Sequence, residues 1–194
     1  MGFTKAELAA FRDASLPDLV GPEPRLVFVG INPGLWTAAV QTPFARPGNR
    51  FWPALQLAGI VDRRIDPATG FTDDDRAYLL ARGLANTNLV NRATARADEL
   101  AADELRAGRT RLEAFVAEHR PRVVAVAGVT AYRVAFGEPK ARTGEQPQGI
   151  GTPDARARLW VVPNPSGLNA HDTVASLAAA YAEPARAAGL LATP

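Results

Sequence analysis

Short apolar runs that end in glycine or proline alternate with stretches of helical spacing, and this alternation restricts the fold of the chain most. The clearest runs are 25–30 (RLVFVG), 122–128 (RVVAVAG) and 158–163 (RLWVVP), and a weaker one spans 83–90 (GLANTNLV). Runs of this kind are typical of strands buried on both faces of a parallel sheet. The sequence therefore predicts an α/β fold, a single three-layer α/β/α sandwich with a short, mainly parallel central sheet.

Helical spacing of apolar residues fills the intervals between these strands. In the clearest case the apolar residues begin at Phe51, recur at i+3, i+4 and i+7, and end before Gly59. The spacing predicts helices over 4–12, 51–58, 75–82, 97–119 with a break at Gly108, 129–136 and from 173 onward. Residues 31–48 and 137–151 carry no such spacing, and we expect both to be loops, the second of them mobile.

The length of the chain indicates one domain. A chain of 194 residues buries about 70% of its unfolded surface, so its core needs no disulfide or metal. No internal repeat or long linker divides the sequence. We therefore expect a single domain over 1–194, in which residues 1–24 form an N-terminal helix and loop extension.

Composition excludes several kinds of site. The chain has no cysteine, which excludes disulfides, thiolate-bound zinc, iron–sulfur clusters and a cysteine nucleophile. Two histidines, His119 and His171, leave little for a metal site, so we expect no bound metal. No apolar stretch is long enough to span a bilayer, and the N-terminus lacks a signal pattern. We expect a cytoplasmic protein with no membrane partner, and nothing indicates more than a monomer.

The charge is nearly balanced, but its make-up is unusual. The formal net charge is +2, and all but two of the 22 basic side chains are arginine. A charge this small does not by itself imply a nucleic-acid partner. Arginine has a planar fork that suits phosphate, although a coding bias explains the same composition equally well.

Two unusual loops follow predicted strands, 31–48 after the first and 164–171 after the last. Ligands of open α/β sheets bind beside the carboxyl ends of the strands, so the fold brings these two distant segments together. The NPG at 32–34 is consistent with a tight turn or with an anion-binding nest. The chain has no Walker or dinucleotide-binding motif.

Single residues in these loops have two interpretations each. Phe44 lies in a polar loop, where it either plugs the core or stacks on a planar ligand such as a base. Leu168 is either an ordinary exposed leucine or a wedge that enters a base stack. His171 either begins the last helix or contacts phosphate.

Three segments together resemble those of a known family. They are GINPGLWTAAVQTPFARPGNRFW at 30–52, TNLVNRATARADEL at 87–100 and PNPSGLNAH at 163–171. The first and last look like the signature segments of the mismatch-specific uracil/thymine-DNA glycosylases, within the uracil-DNA glycosylase superfamily. The middle segment is similar to the family's T-x-L-V-x-R-P-T. The resemblance covers about 25–181 and implies a three-layer α/β/α fold.

The resemblance also implies a function in DNA repair. Members of this family hydrolyse the N-glycosidic bond of uracil, and in some cases thymine or etheno-cytosine, mispaired with guanine in double-stranded DNA. A monofunctional base-excision enzyme that flips its target base and uses no cofactor is therefore implied. Base extrusion costs a few kcal/mol, and less at a mispair, so G·U and related mispairs are the expected partners.

Roles carry over from the family by position. Asn32 corresponds to the residue that positions the attacking water, and Phe44 to the aromatic that stacks on the flipped base. The main chain at Ile31 and Phe44 would bind the edge of that base. Leu168 would fill the vacated gap, with Gly167 and Asn169 at the widowed guanine and Asn164 and Ser166 shaping the loop.

Two positions depart from the family pattern. Ala170 stands where many relatives have arginine, so contacts to the strand of the widowed guanine are expected to be weaker. Ala93 stands in the R-P-T segment, where it is either a neutral loop residue or the position of a lost catalytic acid. Asn88, nearby, is a further candidate for base binding.

Arg46 and Arg50 flank the predicted base-stacking loop, and with His171 they are the candidate phosphate contacts. Two other functions stay open. One is a non-catalytic or catalytically impaired DNA-damage binding module with the same fold. The other is a phosphate or nucleotide hydrolase that uses 31–48 as a cradle, although the sequence offers it no evident nucleophile or metal site.

Overall fold

A five-stranded sheet forms the centre of the computed structural model, which describes residues 2–167 and 172–192. In chain order the strands are β1 (Leu26–Gly30), β2 (Leu84–Asn88), β3 (Val123–Ala127), β4 (Gly144–Thr152) and β5 (Ala155–Val162). Their order across the sheet is β2-β1-β3-β5-β4. All neighbours are parallel except β4, which pairs antiparallel with β5.

Helices occupy most of the intervals between the strands. They are α1 (Lys5–Ala9), α2 (Leu35–Val40), α3 (Phe51–Leu57), α4 (Asp73–Ala81), α5 (Ala102–His119), α6 (Val129–Phe136) and α7 (Val174–Ala187). Short 3-10 turns at Pro67–Thr69 and Ala97–Glu99 complete the elements. No helix in the described ranges is both long and apolar enough to cross a membrane.

Each face of the sheet packs against its own group of helices. Side chains alternate along a strand, so Phe28 of β1 joins a core with α3 and α7, whereas Val27 and Val29 join a core with α5 and α6. These strand residues are fully buried. The predicted three-layer α/β/α sandwich with a mainly parallel sheet is therefore confirmed.

The parallel register aligns the carboxyl ends of four strands at one edge of the sheet. Gly30, the last residue of β1, lies opposite Asn88, the last residue of β2. The chain continues this pairing past the strands, because the amide of Val90 donates to the carbonyl of Ile31 at 3.0 Å. The loops that follow β1, β2 and β5 consequently meet at this edge.

Both segments expected to be loops contain regular structure. Residues 31–48 hold α2, which fills only six positions between glycine and proline turns. Residues 137–151 hold most of β4, whose glycines and Pro147 hide its strand character. This strand forms because β5 offers it a hydrogen-bonding edge, which local sequence does not reveal.

The predicted break at Gly108 is wrong, because α5 runs without interruption from Ala102 to His119. Gly108 is buried where α5 crosses the end of β2. A Cβ at this position would lie 2.6 Å from the carbonyl oxygen of Leu89. The glycine therefore allows a close approach between helix and main chain rather than a helix end.

The N-terminal segment pairs with β2 and with the loop after it. Leu19 exchanges two main-chain hydrogen bonds with Asn86, at 2.9 and 2.8 Å. Further along, the amide of Asp13 donates to the carbonyl of Ala93, and the amide of Ala93 donates to Ala14. Residues 13–19 thus form an edge that supports the loop following β2.

Candidate active site

A cavity of about 160 Å³ lies at the carboxyl ends of β1, β2 and β5. The two loops predicted to meet at this edge both contribute to its wall, as does the loop after β2. Its lining includes Ile31, Asn32, Phe44, Arg46, Asn88, Thr94, Arg96, Asn164 and Ser166. A wider groove of about 710 Å³ shares part of this wall and extends past the start of α6.

The side-chain amide of Asn32 is held by the loop that follows β2. Its Nδ2 donates to the carbonyl oxygen of Arg92 at 2.8 Å and to Oγ1 of Thr94 at 2.7 Å. The hydroxyl of Thr94 donates in turn to the carbonyl of Arg96 at 2.7 Å, so it accepts the bond from Asn32. These acceptors fix the amide orientation and leave Oδ1 of Asn32 as its accepting atom.

Ion pairs hold this loop in place. The guanidinium of Arg92 makes a two-pronged contact with Glu104 of α5, at 2.8 and 3.0 Å, and a third bond to Asp13 at 2.9 Å. The Arg92 contact lowers the pKa of Glu104 below its ordinary value. Two separate elements therefore secure the carbonyl that orients Asn32.

Phe44 has an unusual main-chain conformation. Its φ of 55° lies in the left-handed region, which is costly for an aromatic residue and is found where the surroundings enforce it. The ring stacks on Phe51, with centroids 3.9 Å apart, and Nε1 of Trp52 donates to the neighbouring carbonyl of Pro43. One ring face of Phe44 is thus packed on the core, and the residue also lines the cavity.

Asn88 lies across the end of β1. A Cβ on Gly30 would lie 2.5 Å from Oδ1 of Asn88 and 3.6 Å from Cζ of Phe44. Glycine at this position therefore allows the amide of Asn88 and the ring of Phe44 to approach each other from two sides. The structure brings together Asn32, Phe44 and Asn88, as the sequence predicted.

The segment after β5 closes the far wall of the cavity. The amide of Ser166 donates to Oδ1 of Asn164 at 3.1 Å, which shapes the turn. Gly167 lies so close to the other loop that a Cβ on it would be 2.8 Å from the carbonyl oxygen of Gly48. The predictions for Leu168, Asn169, Ala170 and His171 lie outside the described residues.

The two candidate phosphate-binding arginines differ in their surroundings. The guanidinium of Arg50 donates to the carbonyl oxygens of Ser166 and Asp172, on either side of 167–171. These contacts tie Arg50 to the loop after β5, and its predicted phosphate contact stays a prediction. Arg46 is exposed at the cavity rim and makes no ion pair with the described residues.

Ala93 does not face the cavity. Its side chain is fully buried beneath the N-terminal segment, whereas the neighbours Thr94 and Ala95 line the cavity wall. A carboxylate at position 93 would be buried away from the substrate site. The geometry therefore favours the interpretation of Ala93 as a neutral loop residue, and the lost acid stays an untested alternative.

The cavity offers amides, hydroxyls and cations but no acid. None of its described lining residues is aspartate or glutamate. The described ranges also hold no cluster of three or more side chains that could bind a metal ion. The site can orient a water molecule and accept a planar group, but it lacks a carboxylate to act as a general base.

No role was predicted for Thr94, which the structure places against Asn32. Thr94 lies at the threonine of the R-P-T pattern in the 87–100 segment, and this position was the sequence feature that could have indicated a role. The bond itself joins residues 62 positions apart, and local sequence patterns do not reveal such a pairing.

Two comparisons place the chain among known proteins. The family model of the uracil DNA glycosylase superfamily matches residues 17–184, which is most of the chain. A solution NMR structure of a candidate uracil DNA glycosylase from Methanosarcina acetivorans has the same fold, with a TM-score of 0.53 and 14% sequence identity. The similarity covers 91% of this chain and 96% of that one. The chain therefore belongs to the uracil DNA glycosylase superfamily, a group of DNA-repair hydrolases.

Proposed function

We propose that this protein flips and hydrolytically excises uracil mispaired with guanine in double-stranded DNA, as a mismatch-specific, monofunctional glycosylase. One observation carries the proposal. A single cavity combines an amide oriented through its nitrogen, Asn32, with an aromatic platform, Phe44, and a second amide, Asn88. This set suits a planar base with polar edges next to a bond that water attacks.

Asn32 would position the attacking water in this mechanism. Both hydrogens of its Nδ2 are engaged by the loop after β2, so Oδ1 accepts a hydrogen bond from the water. The water oxygen then attacks C1′ of the deoxyribose as the bond from C1′ to N1 of uracil breaks. An amide orients this water without taking its proton, so the chemical step relies on orientation.

Stabilisation of the departing base would supply the remaining part of the rate enhancement. Uracil leaves with a negative charge that is shared between N1 and O2, and hydrogen-bond donors or cations near these atoms lower the barrier. The main-chain amide of Phe44 is not hydrogen-bonded to any described residue and belongs to the cavity loop. The attacking water loses one proton to solvent and leaves its hydroxyl on C1′ of the abasic sugar, and the uracil anion takes up a proton from solvent.

Asn88 is suited to read the edge of the base. Its amide offers one acceptor and two donors, which complement N3–H and O4 of uracil. Cytosine presents the opposite pattern at these two positions, so the same amide orientation would disfavour it. Insertion of Leu168 into the duplex, with Gly167 and Asn169 at the widowed guanine, remains part of the proposal.

A single-turnover assay on a labelled duplex with one central G·U mispair tests the proposal. We expect release of uracil by the wild type and a rate lower by on the order of 100-fold for Asn32→Ala, with mispair affinity retained. A matched A·U duplex should react more slowly, because the mispair lowers the cost of base extrusion. Binding of the mispair without base release would select a non-catalytic binding module, and equal rates on G·U and A·U would remove the mismatch preference.

A further inference from the structure

Helix α5 contacts the main chain at the end of β2 in two places. Gly108 and Arg111 lie three positions apart and therefore share one face of the helix. A Cβ on Gly108 would lie 2.6 Å from the carbonyl oxygen of Leu89, and Nη1 of Arg111 donates to the carbonyl oxygen of Asn88 at 2.7 Å. Two consecutive peptide groups are thus held by the same helix.

A ring of hydrogen bonds fixes the guanidinium that makes the second contact. Arg111 Nη2 donates to both carboxylate oxygens of Asp18, at 3.0 and 2.7 Å, and Nη1 also donates to Oγ1 of Thr87 at 2.8 Å. The hydroxyl of Thr87 donates to Asp18 at 2.7 Å and closes the ring. Arg111 therefore has little freedom to move away from β2.

The ring lies on the face of β2 opposite the cavity. Side chains alternate along a strand, so Thr87 points toward α5 while its neighbour Asn88 points toward the cavity. None of Asp18, Thr87 and Arg111 lines that cavity. The ring therefore contacts Asn88 through its main-chain carbonyl alone.

Charge-assisted bonds with this geometry hold a group more rigidly than neutral ones do. Arg111 and Asp18 are both partly buried, with 34% and 22% of their side chains exposed, which protects the pair from solvent screening. Because the carboxylate of Asp18 holds one side of the Arg111 guanidinium, the hydrogen bond from its other side to the carbonyl of Asn88 is fixed in direction. Its removal would let the end of β2 shift relative to Gly30 and Phe44.

We infer that Arg111, seated by Asp18 and Thr87, is a positioning residue that sets where the amide of Asn88 meets the flipped base. The inference rests on the proposed function, because it assigns the ring a part in base recognition. It also gives the N-terminal segment a part in the site, since Asp18 comes from that segment.

A double-mutant cycle between Arg111→Met and Asn88→Ala tests the inference by single-turnover uracil release. Arg111→Met keeps the apolar stem and removes the fork, so we expect the rate to fall on the order of 10- to 100-fold. In the Asn88→Ala background the same change should alter the rate less than about twofold, because its target is gone. Arg106→Met, which removes an exposed ion pair with Asp103 on the same helix, is the matched control and should leave the rate unchanged.

Different outcomes separate the inference from the proposed function. Independent, additive losses for Arg111→Met and Asn88→Ala would overturn the inference while leaving the glycosylase intact. Failure of the wild type to release uracil would instead overturn the proposed function. In that event the ¹⁵N resonance of the Asn88 side-chain amide decides: it should shift in Arg111→Met but not in Arg106→Met, and an unmoved resonance overturns the inference.

A second variant tests the inference in case Arg111→Met does not fold. Arg111→Lys keeps the positive charge beside Asp18 but lacks the two-pronged geometry. We expect it to fold and to lose a smaller part of the rate than Arg111→Met, with the same dependence on Asn88. A rate equal to that of the wild type would show that the fork is not needed and would overturn the inference.

Discussion

At the scale of single residues, one hydroxyl sets the orientation of the Asn32 side-chain amide. Thr94 donates its proton to the carbonyl of Arg96 and can therefore only accept from Asn32. The amide nitrogen is thus directed to the protein, and the oxygen is the atom that would hold the water in the proposed mechanism. If the amide were flipped, its nitrogen would donate a hydrogen bond to the oxygen of the water. That bond would occupy the lone pair that has to attack C1′ in the proposed mechanism.

We predict that Thr94→Val lowers the single-turnover rate of uracil release by about tenfold, because Asn32 loses the 2.7 Å bond to the Thr94 hydroxyl, the shortest of those that orient its amide. Thr94→Ser keeps the hydroxyl and should retain most of the rate. DNA affinity, measured by fluorescence anisotropy on a non-cleavable G·U analogue, should be similar in both variants. Equal rates for the valine and serine variants would contradict this role of the hydroxyl.

At the scale of elements, the sequence patterns predicted β1, β3 and β5 because buried parallel strands are continuous apolar runs. They did not predict β4, whose glycines and Pro147 suit an edge strand, or α2, which is too short to show a period. Asn32 and Phe44 could be placed in one site from their positions after strands. The contacts of Arg111 with Asp18 could not, because they join residues 93 positions apart.

The loop that holds Asn32 depends on a carboxylate of α5, and this gives a pH prediction. Hydrogen bonds from Arg92 and from the amide of Ala101 lower the pKa of Glu104 in the folded protein below its ordinary value near 4.5. Because the folded pKa is the lower one, the stabilisation is fully present above the unfolded pKa and is lost as the pH falls through the folded pKa.

We therefore expect Glu104→Gln to lower the midpoint of thermal unfolding at neutral pH and to approach the wild-type midpoint in acid, below about pH 4. Circular dichroism melts between pH 3 and 7 would measure both curves. Arg92→Met should lower the midpoint further, because it also removes the bond to Asp13, and adding Glu104→Gln to it should change the midpoint little more. Curves that run parallel from neutral pH to acid would show that Glu104 does not contribute through its charge.

At the scale of the whole molecule, the arginines are mostly engaged within the protein. The structure shows 14 ion pairs among the described residues, and most of their cations are arginines that face acids on the surface. Such pairs add little stability singly, but they engage half of the 22 lysines and arginines. Attraction to DNA then depends on the few cations left without an acid near the cavity.

Arg46 is one such cation, exposed at the rim of the cavity. Each protein cation that neutralises a phosphate contributes about 0.9 to the slope of log affinity against log salt. Arg46→Ala should therefore weaken binding to G·U and to matched duplexes alike, and should lower the slope by about 1 in a salt titration. Arg120→Ala is the control, because Arg120 ends α5 and precedes β3 at the opposite edge of the sheet, so its slope should equal that of the wild type.

An unchanged slope for Arg46→Ala would mean that the backbone of DNA passes elsewhere. A loss confined to the mispaired duplex would instead assign Arg46 to the base, since phosphate contacts do not distinguish sequences.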